Sequence, residues 1–246
     1  DSVRYYSVFL PNIYKIIFRQ SRSFMKEALN EHQRMLRLRG RPKILLATNY
    51  QEALELYEKY KANVLGIISD ISYKLDNKRD QETKAGLKLC KVVRSEDPYM
   101  PFLLQSSDIS NKVYADELGV GFISKNSKTL NIELRDYIIS HFGFGDFIFR
   151  DPKTLKEICR ATDLQHLQQQ ILDVPDDSFN YHTSQNHISK WLNARALFSI
   201  AQLFKPLNVN DFNSISELRK FIFQSISSYR LSKGRGVIAK FDRNSF

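Results

Sequence analysis

Three short apolar runs, each ending in a polar residue, dominate the hydrophobic pattern of the first half of the chain. They span residues 64–70 (VLGIISD), 101–106 (PFLLQS) and 120–125 (VGFISK). Apolar runs of this length are typical of buried strands in a parallel sheet. Segments with helical periodicity separate the runs, and this alternation predicts an α/β fold with a doubly wound parallel sheet.

The segments around these runs predict four helices and one further strand. Residues 14–36 carry apolar side chains at helical intervals and precede a helix stop at Gly40 and Pro42. Residues 42–49 (PKILLATN) have the composition of a strand. The remaining helices are predicted over residues 50–60, 85–94 and 107–118.

The polar residues that end the three runs are the candidate chemical groups. Asp70, Ser106 and Lys125 bring a carboxylate, a hydroxyl and an amine to the carboxyl ends of predicted parallel strands, where ligand sites collect. Transfer of a phosphoryl group to a carboxylate needs this set, with Asp70 as nucleophile and the other two binding the transferred group. Taken singly, such residues are more often turn or cap residues and solvated charges.

With the opening DSVRYY, these residues resemble the receiver domain of two-component response regulators over residues 1–141. The resemblance implies a flavodoxin-like sheet whose first strand, ending in an acidic pair, would lie upstream of Asp1. The chain is therefore expected to be a fragment. Receivers accept phosphate from a histidine kinase or a small phosphodonor, so the resemblance implies that Asp70 is the phosphoacceptor.

The same resemblance implies a magnesium site and a switch residue. Mg²⁺ would be held by Asp1, its upstream neighbour, Asp70 and the carbonyl of Ser72. Phe122 matches the aromatic position whose rotamer tracks phosphorylation, although an ordinary core phenylalanine remains an equal alternative. Asn126 replaces the proline that usually follows the receiver lysine.

A second unit is predicted after the glycines of residues 143–146 (GFGD). Residues 146–232 are expected to form a mostly α-helical domain. Its helices are predicted within residues 152–173, from residues 180–192 onward through Phe198, and over residues 218–231. Gly234 and Gly236 resemble a turn into a strand, so residues 233–246 are expected to begin another domain.

Polar and aromatic residues are also concentrated in the second unit, where His182 and His187 lie close in sequence to Asn186, Trp191 and Arg195. A five-residue step would place His182 and His187 about 140° apart on one ideal helix, which is poor geometry for joint metal ligation. Structural roles in capping and in hydrogen bonds between helices are therefore favoured.

Two segments flanking these residues, 147–152 (FIFRDP) and 235–242 (RGVIAKFD), resemble the linker of bacterial proteins in which a receiver precedes a phosphoenolpyruvate synthase-like catalytic part. The resemblance implies a helical relay domain and a catalytic domain downstream of Phe246. The chain itself carries no glycine-rich loop for ATP phosphates and no histidine in a Thr-Ser-His context.

Composition narrows the classes of protein. No apolar run approaches the length of a membrane span, and two cysteines in 246 residues favour reduced thiols in a cytoplasmic setting. The formal net charge of +10 is compatible with nucleic-acid binding, but the basic residues are spread along the chain without a recognised binding motif. A regulatory phosphoacceptor module ranks first, a receiver-like interaction scaffold without phosphorylation second, and a nucleic-acid-binding regulator third.

Overall fold

The computed structural model describes residues 3–25, 31–76, 81–82, 84–205 and 207–238. The chain divides into two compact units, Asp1–Arg19 with Pro42–Phe142 and Gln20–Arg41 with Gly143–Phe246. None of the helices in the described ranges has the length and apolar character needed to span a membrane.

The first unit is a mixed α/β structure built on a parallel sheet. The elements up to residue 142 are α1 (Val3–Phe24), α2 (Glu31–Arg39), α3 (Tyr50–Tyr60), β1 (Ile67–Asp70), β2 (Tyr73–Lys74), β3 (Gln81–Glu82), α4 (Ala85–Glu96), β4 (Phe102–Ser106), α5 (Lys112–Leu118), β5 (Gly121–Ser124) and α6 (Leu130–His141). Helix α2 and the end of α1 belong to the second unit, and the other elements belong to the first. Strands β1, β4 and β5 pair in parallel in that order, and β2 and β3 form a short antiparallel pair. The three apolar runs are therefore strands of one parallel sheet, as predicted.

The central strand β4 is buried along its whole length. On one face of the sheet, Leu104 belongs to a core cluster that includes Tyr57 of α3, Val93 of α4 and Ala115 of α5. On the other face, Leu103 lies beside Gly121 under the ring of Tyr137 from α6. Both faces of β4 are covered, which explains why its sequence is a nearly continuous apolar run.

Two predictions for the residues before α3 are wrong in part. Residues 42–49 form no strand, because no neighbouring strand in the described part of the chain is hydrogen-bonded to them. The helical periodicity of residues 14–36 belongs to two helices, α1 and α2, and residues 26–30 lie outside the described residues. Asn49 instead caps α3 by accepting a hydrogen bond from the backbone N–H of Glu52 (2.9 Å).

The second unit is mostly helical and also contains a two-stranded sheet. Its elements after residue 142 are β6 (Phe147–Arg150), β7 (Glu157–Ala161), α7 (Leu164–Asp173), α8 (Asp176–Ser184), α9 (His187–Ala194), α10 (Phe198–Leu203) and α11 (Ile215–Ile238). The strands are antiparallel, with Phe147 level with Ala161. Phe149, Phe179, Leu192 and Leu218 belong to one core cluster that unites the sheet with the helices.

Residues 157–161 are a strand, although the sequence predicted helix there. The side chain of Asp151 accepts hydrogen bonds from the backbone N–H groups of Lys153 and Thr154, and Leu155 has a positive φ of 57°. These features close a tight turn between the two strands. The turn returns the chain beside β6, so that strand pairing overrides the local helical pattern.

The remaining helices also differ from the prediction. The helix expected to run through Phe198 is divided into α8, α9 and α10, because Asn186 and Ala196 both have left-handed backbone conformations with φ of 57°. Helix α11 continues to Ile238 through both Gly234 and Gly236, where a turn and a strand were expected. Residues 239–246 lie outside the described residues.

Candidate functional site

Asp70 ends β1, at the carboxyl edge of the parallel sheet. One carboxylate oxygen, Oδ1, accepts a hydrogen bond from the backbone N–H of Ile71 (2.8 Å). The same N–H bonds to the carbonyl of Gln105 (3.1 Å), which continues the β1–β4 ladder past Asp70. The side chain of Asp70 remains 18% exposed, so its carboxylate is held by the backbone yet open to solvent on one side.

Lys125 follows β5 and reaches Asp70 across the end of β4. Its Nζ lies 2.6 Å from Asp70 Oδ2, and its side chain is only 4% exposed. The backbone N–H of Lys125 donates to the carbonyl of Ser106 (2.9 Å), which anchors the lysine one residue beyond the strand. Neighbouring strands lie about 4.8 Å apart, so the long lysine side chain is needed to span two strand spacings.

Ser106 ends the central strand β4 and therefore lies between the strands that carry Asp70 and Lys125. Its Oγ accepts hydrogen bonds from the backbone N–H of Asp108 (3.1 Å) and from Asn111 Nδ2 (2.9 Å). The carboxylate, the hydroxyl and the ammonium thus come from three adjacent strand ends. Together they offer one oxygen nucleophile and two hydrogen-bond donors at one edge of the sheet.

Helix α4 begins against the backbone of Asp70. The N–H of Gly86 donates to the carbonyl of Ile71 (2.9 Å), and a Cβ on Gly86 would overlap the carbonyl oxygen of Asp70. Glycine is therefore required here for close approach of the helix to the strand end. The first turn of α4 also carries Lys88, whose Nζ lies 5.1 Å from the ring centre of Tyr50.

A partly buried tyrosine borders the same strand end. The hydroxyl of Tyr73 lies 3.4 Å from Ser69 Oγ, next to Asp70 in sequence. Burial raises the pKa of Tyr73 to about 12, and the nearby Asp70 charge adds to this effect. Tyr73 is therefore a neutral neighbour of the acidic residue throughout the physiological pH range.

The other residues predicted for this site are Ser72, Asp1 and Phe122. Ser72 lies in a bend two residues after Asp70, whereas Asp1 lies outside the described residues. Within the described ranges, no group of three or more His, Cys, Asp or Glu side chains is arranged to hold a metal ion. Phe122 is half-buried and packs against the core cluster around Leu104.

The two histidines of the second unit lie on different helices, and their rings meet. His182 Nδ1 is 2.9 Å from His187 Nδ1, and His182 Nε2 is 2.9 Å from the backbone nitrogen of Arg150. A backbone N–H can only donate, so Nε2 of His182 accepts and carries no proton. The proton of His182 is therefore on Nδ1 and is donated to His187.

This arrangement is a hydrogen bond between helices, the role that the sequence favoured. Burial lowers the pKa of His182 to about 3, and the neighbouring charges of His187 and Arg150 lower it further. A metal ion on Nδ1 would displace the proton, and neutral His182 would then have to carry it on Nε2, opposite the donor N–H of Arg150. The pair is therefore a structural link and a poor metal site.

Three residues around the strand ends have contacts that the sequence did not predict. Gly86 is one of nine glycines in the chain, and its contact with Asp70 arises only from helix packing. Asn111 lies five residues after Ser106 and follows no motif. Asn126 stood out only as a replacement for proline, whereas its Nδ2 donates to the carbonyl of Ser107 (3.0 Å) and ties the loops after β4 and β5 together.

Comparison of the chain with known protein families, curated proteins and solved structures finds no match.

Proposed function

We propose that the first unit is a phosphoacceptor regulatory module that is phosphorylated on Asp70. The contact of Lys125 Nζ with Asp70 Oδ2 at 2.6 Å carries the proposal. It joins two residues from the outer strands of the β1-β4-β5 sheet across the strand that ends in Ser106. A carboxylate paired with a buried cation, at a sheet edge that also carries the Ser106 hydroxyl, suits phosphoryl transfer better than it suits a turn or a surface charge.

The proposed reaction is a single displacement at phosphorus. An Asp70 carboxylate oxygen attacks the phosphorus of a histidine kinase phosphohistidine or of acetyl phosphate. The bond from phosphorus to the donor nitrogen or oxygen breaks, and the leaving group departs with the electron pair. Lys125 then moves from the carboxylate to a phosphoryl oxygen, and the Ser106 hydroxyl donates to another.

Mg²⁺ is part of the proposal, with Asp1, its upstream neighbour, Asp70 and the Ser72 carbonyl as ligands. Carboxylate and carbonyl oxygens are the hard ligands that Mg²⁺ prefers, so the chemistry of Asp70 and Ser72 fits. When bound, the ion would offset the repulsion between the carboxylates and the incoming phosphate. Asp70 holds its own position through the Ile71 N–H.

A flavodoxin-like sheet with a further strand beside β1 is the finer fold that we propose. In the parallel pairing of β1 with β4, the backbone groups of Ile67, Ser69 and Ile71 form the hydrogen bonds to β4. The backbone N–H and carbonyl of Ile68 therefore point to the outer edge of the sheet. An additional strand at that edge would bond to Ile68 and would give residues 42–49 a partner. The first strand of a receiver, upstream of Asp1, would occupy this place.

We propose that the second unit relays the state of Asp70 to a downstream catalytic part like that of phosphoenolpyruvate synthases. Two observations support this proposal: the order of residues 147–152 and 235–242, which resembles the linker described above, and the mostly helical core of the unit. The histidine pair links α8 to α9 in that core and has no proposed catalytic role.

Phosphorylation is tested with acetyl phosphate and Mg²⁺ on the full-length protein. A single labile adduct should appear by intact mass spectrometry, and Asp70→Asn should abolish it. Asp116→Asn is the matched control, because Asp116 lies in the same unit and pairs with Lys112 at the surface, away from the strand ends. An adduct that survives Asp70→Asn would contradict the proposal.

A receiver-like scaffold without phosphorylation is the second candidate. One observation favours it: Asp70 is paired with Lys125, and Ser106 accepts two hydrogen bonds from its own loop. Contacts of this kind stabilise a fold without any phosphate. Absence of an adduct on the wild-type protein, with an intact fold, would select this candidate.

A further inference from the structure

The hydrogen bonds around Ser106 determine the direction in which its own hydroxyl proton points. Asp108 N–H and Asn111 Nδ2–H both donate to Ser106 Oγ, at 3.1 and 2.9 Å. A hydroxyl oxygen has two lone pairs and one proton. With both lone pairs accepting, the proton of Ser106 remains available only for donation to a third group.

The two donors are fixed by the local loop and do not depend on a bound phosphate. Residues 109–111 form a short 3₁₀ turn in which the Asp108 side chain accepts from the backbone N–H of Ser110 (2.9 Å). The backbone N–H of Asn111 returns to the carbonyl of Asp108 (3.3 Å). Asn111 is then followed directly by α5, so its side chain is delivered to Ser106 by the start of a helix.

We infer that Asn111 is a positioning residue that keeps the Ser106 hydroxyl as a donor to a phosphoryl group on Asp70. This inference rests on the proposed function. Hydrogen bonds run in one direction, from the Asn111 amide to Ser106 Oγ and from the Ser106 proton to a phosphoryl oxygen. Each bond polarises the next, which strengthens the contact with the anionic group.

Asn111→Asp is the sharpest test because it preserves shape and removes the donor. A carboxylate at this position accepts the Ser106 proton, which leaves a lone pair of Oγ facing the phosphoryl oxygens. The probe is beryllofluoride with Mg²⁺, a phosphoryl mimic that binds the receiver-type carboxylate without transfer chemistry. The variant loses a hydrogen bond to a charged group, so we expect its affinity for beryllofluoride to fall about tenfold or more.

Asn126→Asp is the matched control. It introduces the same charge change in the neighbouring loop, where Asn126 contacts the carbonyl of Ser107 and not Ser106. Asn111→Ala, which removes the donor without adding charge, should weaken binding less than Asn111→Asp. In a Ser106→Ala background both changes at Asn111 should lose most of their effect, because the hydroxyl that they orient is gone.

The outcomes separate this inference from the proposed function. Failure of the wild-type protein to bind beryllofluoride or to form the Asp70 adduct contradicts the proposed function itself. Wild-type binding with an unchanged affinity in Asn111→Asp overturns the role of Asn111 alone. Equal losses in Asn111→Asp and Asn126→Asp, or losses that persist undiminished without Ser106, would indicate a general charge effect and would also overturn it.

Discussion

Lys125 and Asp70 are 55 residues apart in the sequence, and their side chains form an ion pair of 2.6 Å at the edge of the parallel sheet. Strand order creates this contact, because β4 lies between the strands that carry the two residues. The role proposed for Lys125 in phosphoryl binding begins only once Asp70 carries a phosphoryl group. Its pairing with the unmodified carboxylate adds a second role, in the stability of the fold.

We expect the ion pair between Lys125 and Asp70 to stabilise the fold, so that removing either partner lowers stability. Lys125→Met keeps most of the aliphatic packing but leaves the Asp70 carboxylate without its cation. We expect the free energy of unfolding of the first unit to fall by about 1–3 kcal/mol, below the cost in a fully buried pair because Asp70 is partly exposed.

Urea denaturation of the two single variants and the double variant measures this coupling. Lys125→Met combined with Asp70→Asn should lose less stability than the sum of the single changes, because both remove the same interaction. Strict additivity would show that the pair contributes nothing to the fold.

At Gly86, we expect a steric effect of an alanine substitution to oppose the gain in helix propensity. Alanine normally stabilises a helix relative to glycine by about 1 kcal/mol. At residue 86 its Cβ would overlap the Asp70 carbonyl oxygen, so we expect Gly86→Ala to destabilise the first unit by about 1–3 kcal/mol in urea denaturation.

Gly119→Ala provides the comparison for this prediction. Gly119 has a φ of 61°, and a Cβ added there would meet no other atom within 4 Å. Its substitution should therefore cost only the backbone strain of about 1 kcal/mol. A stabilising Gly86→Ala would show that α4 can move away from Asp70 without loss.

His182 predicts a pH dependence of stability in the second unit. Burial lowers its pKa to about 3 in the folded state, whereas an unfolded histidine has a pKa near 6.5. Between these values the unfolded state binds more protons, so stability is complete above pH 6.5 and is lost as the pH falls toward 3. From a pH of about 7.5 to a pH of about 5, His182 alone should remove about 2 kcal/mol.

His182→Gln isolates this contribution. The glutamine amide can accept from the Arg150 N–H and donate to His187 Nδ1, but it does not titrate. Urea denaturation at several pH values should give the variant a shallower slope than the wild type between a pH of about 6.5 and a pH of about 5. Equal slopes would show that His182 is not the group responsible.

The strands that flank Asp70, Ser106 and Lys125 were predictable because continuous apolar runs need burial on both faces, and β4 receives it. The placement of the three residues at one edge of the sheet followed from the rule that the carboxyl ends of parallel strands share an edge. Residues 42–49 have an equally suitable composition, yet they form no strand. A strand needs a hydrogen-bonding partner, and composition does not say whether one is present.

Only the tertiary structure decided the contacts that depend on where separate elements meet. Residues 157–161 became a strand because the turn at Asp151 returns them to β6, and His182 met His187 because Asn186 interrupts the helix between them. The contacts of Asn111 with Ser106 and of Gly86 with Asp70 also depend on how a loop and a helix pack against the strand ends. The sequence by itself determined the three parallel strands and the residues at which they end. Which residues become neighbours across loops depends on packing free energies summed over the whole unit, which no local pattern records.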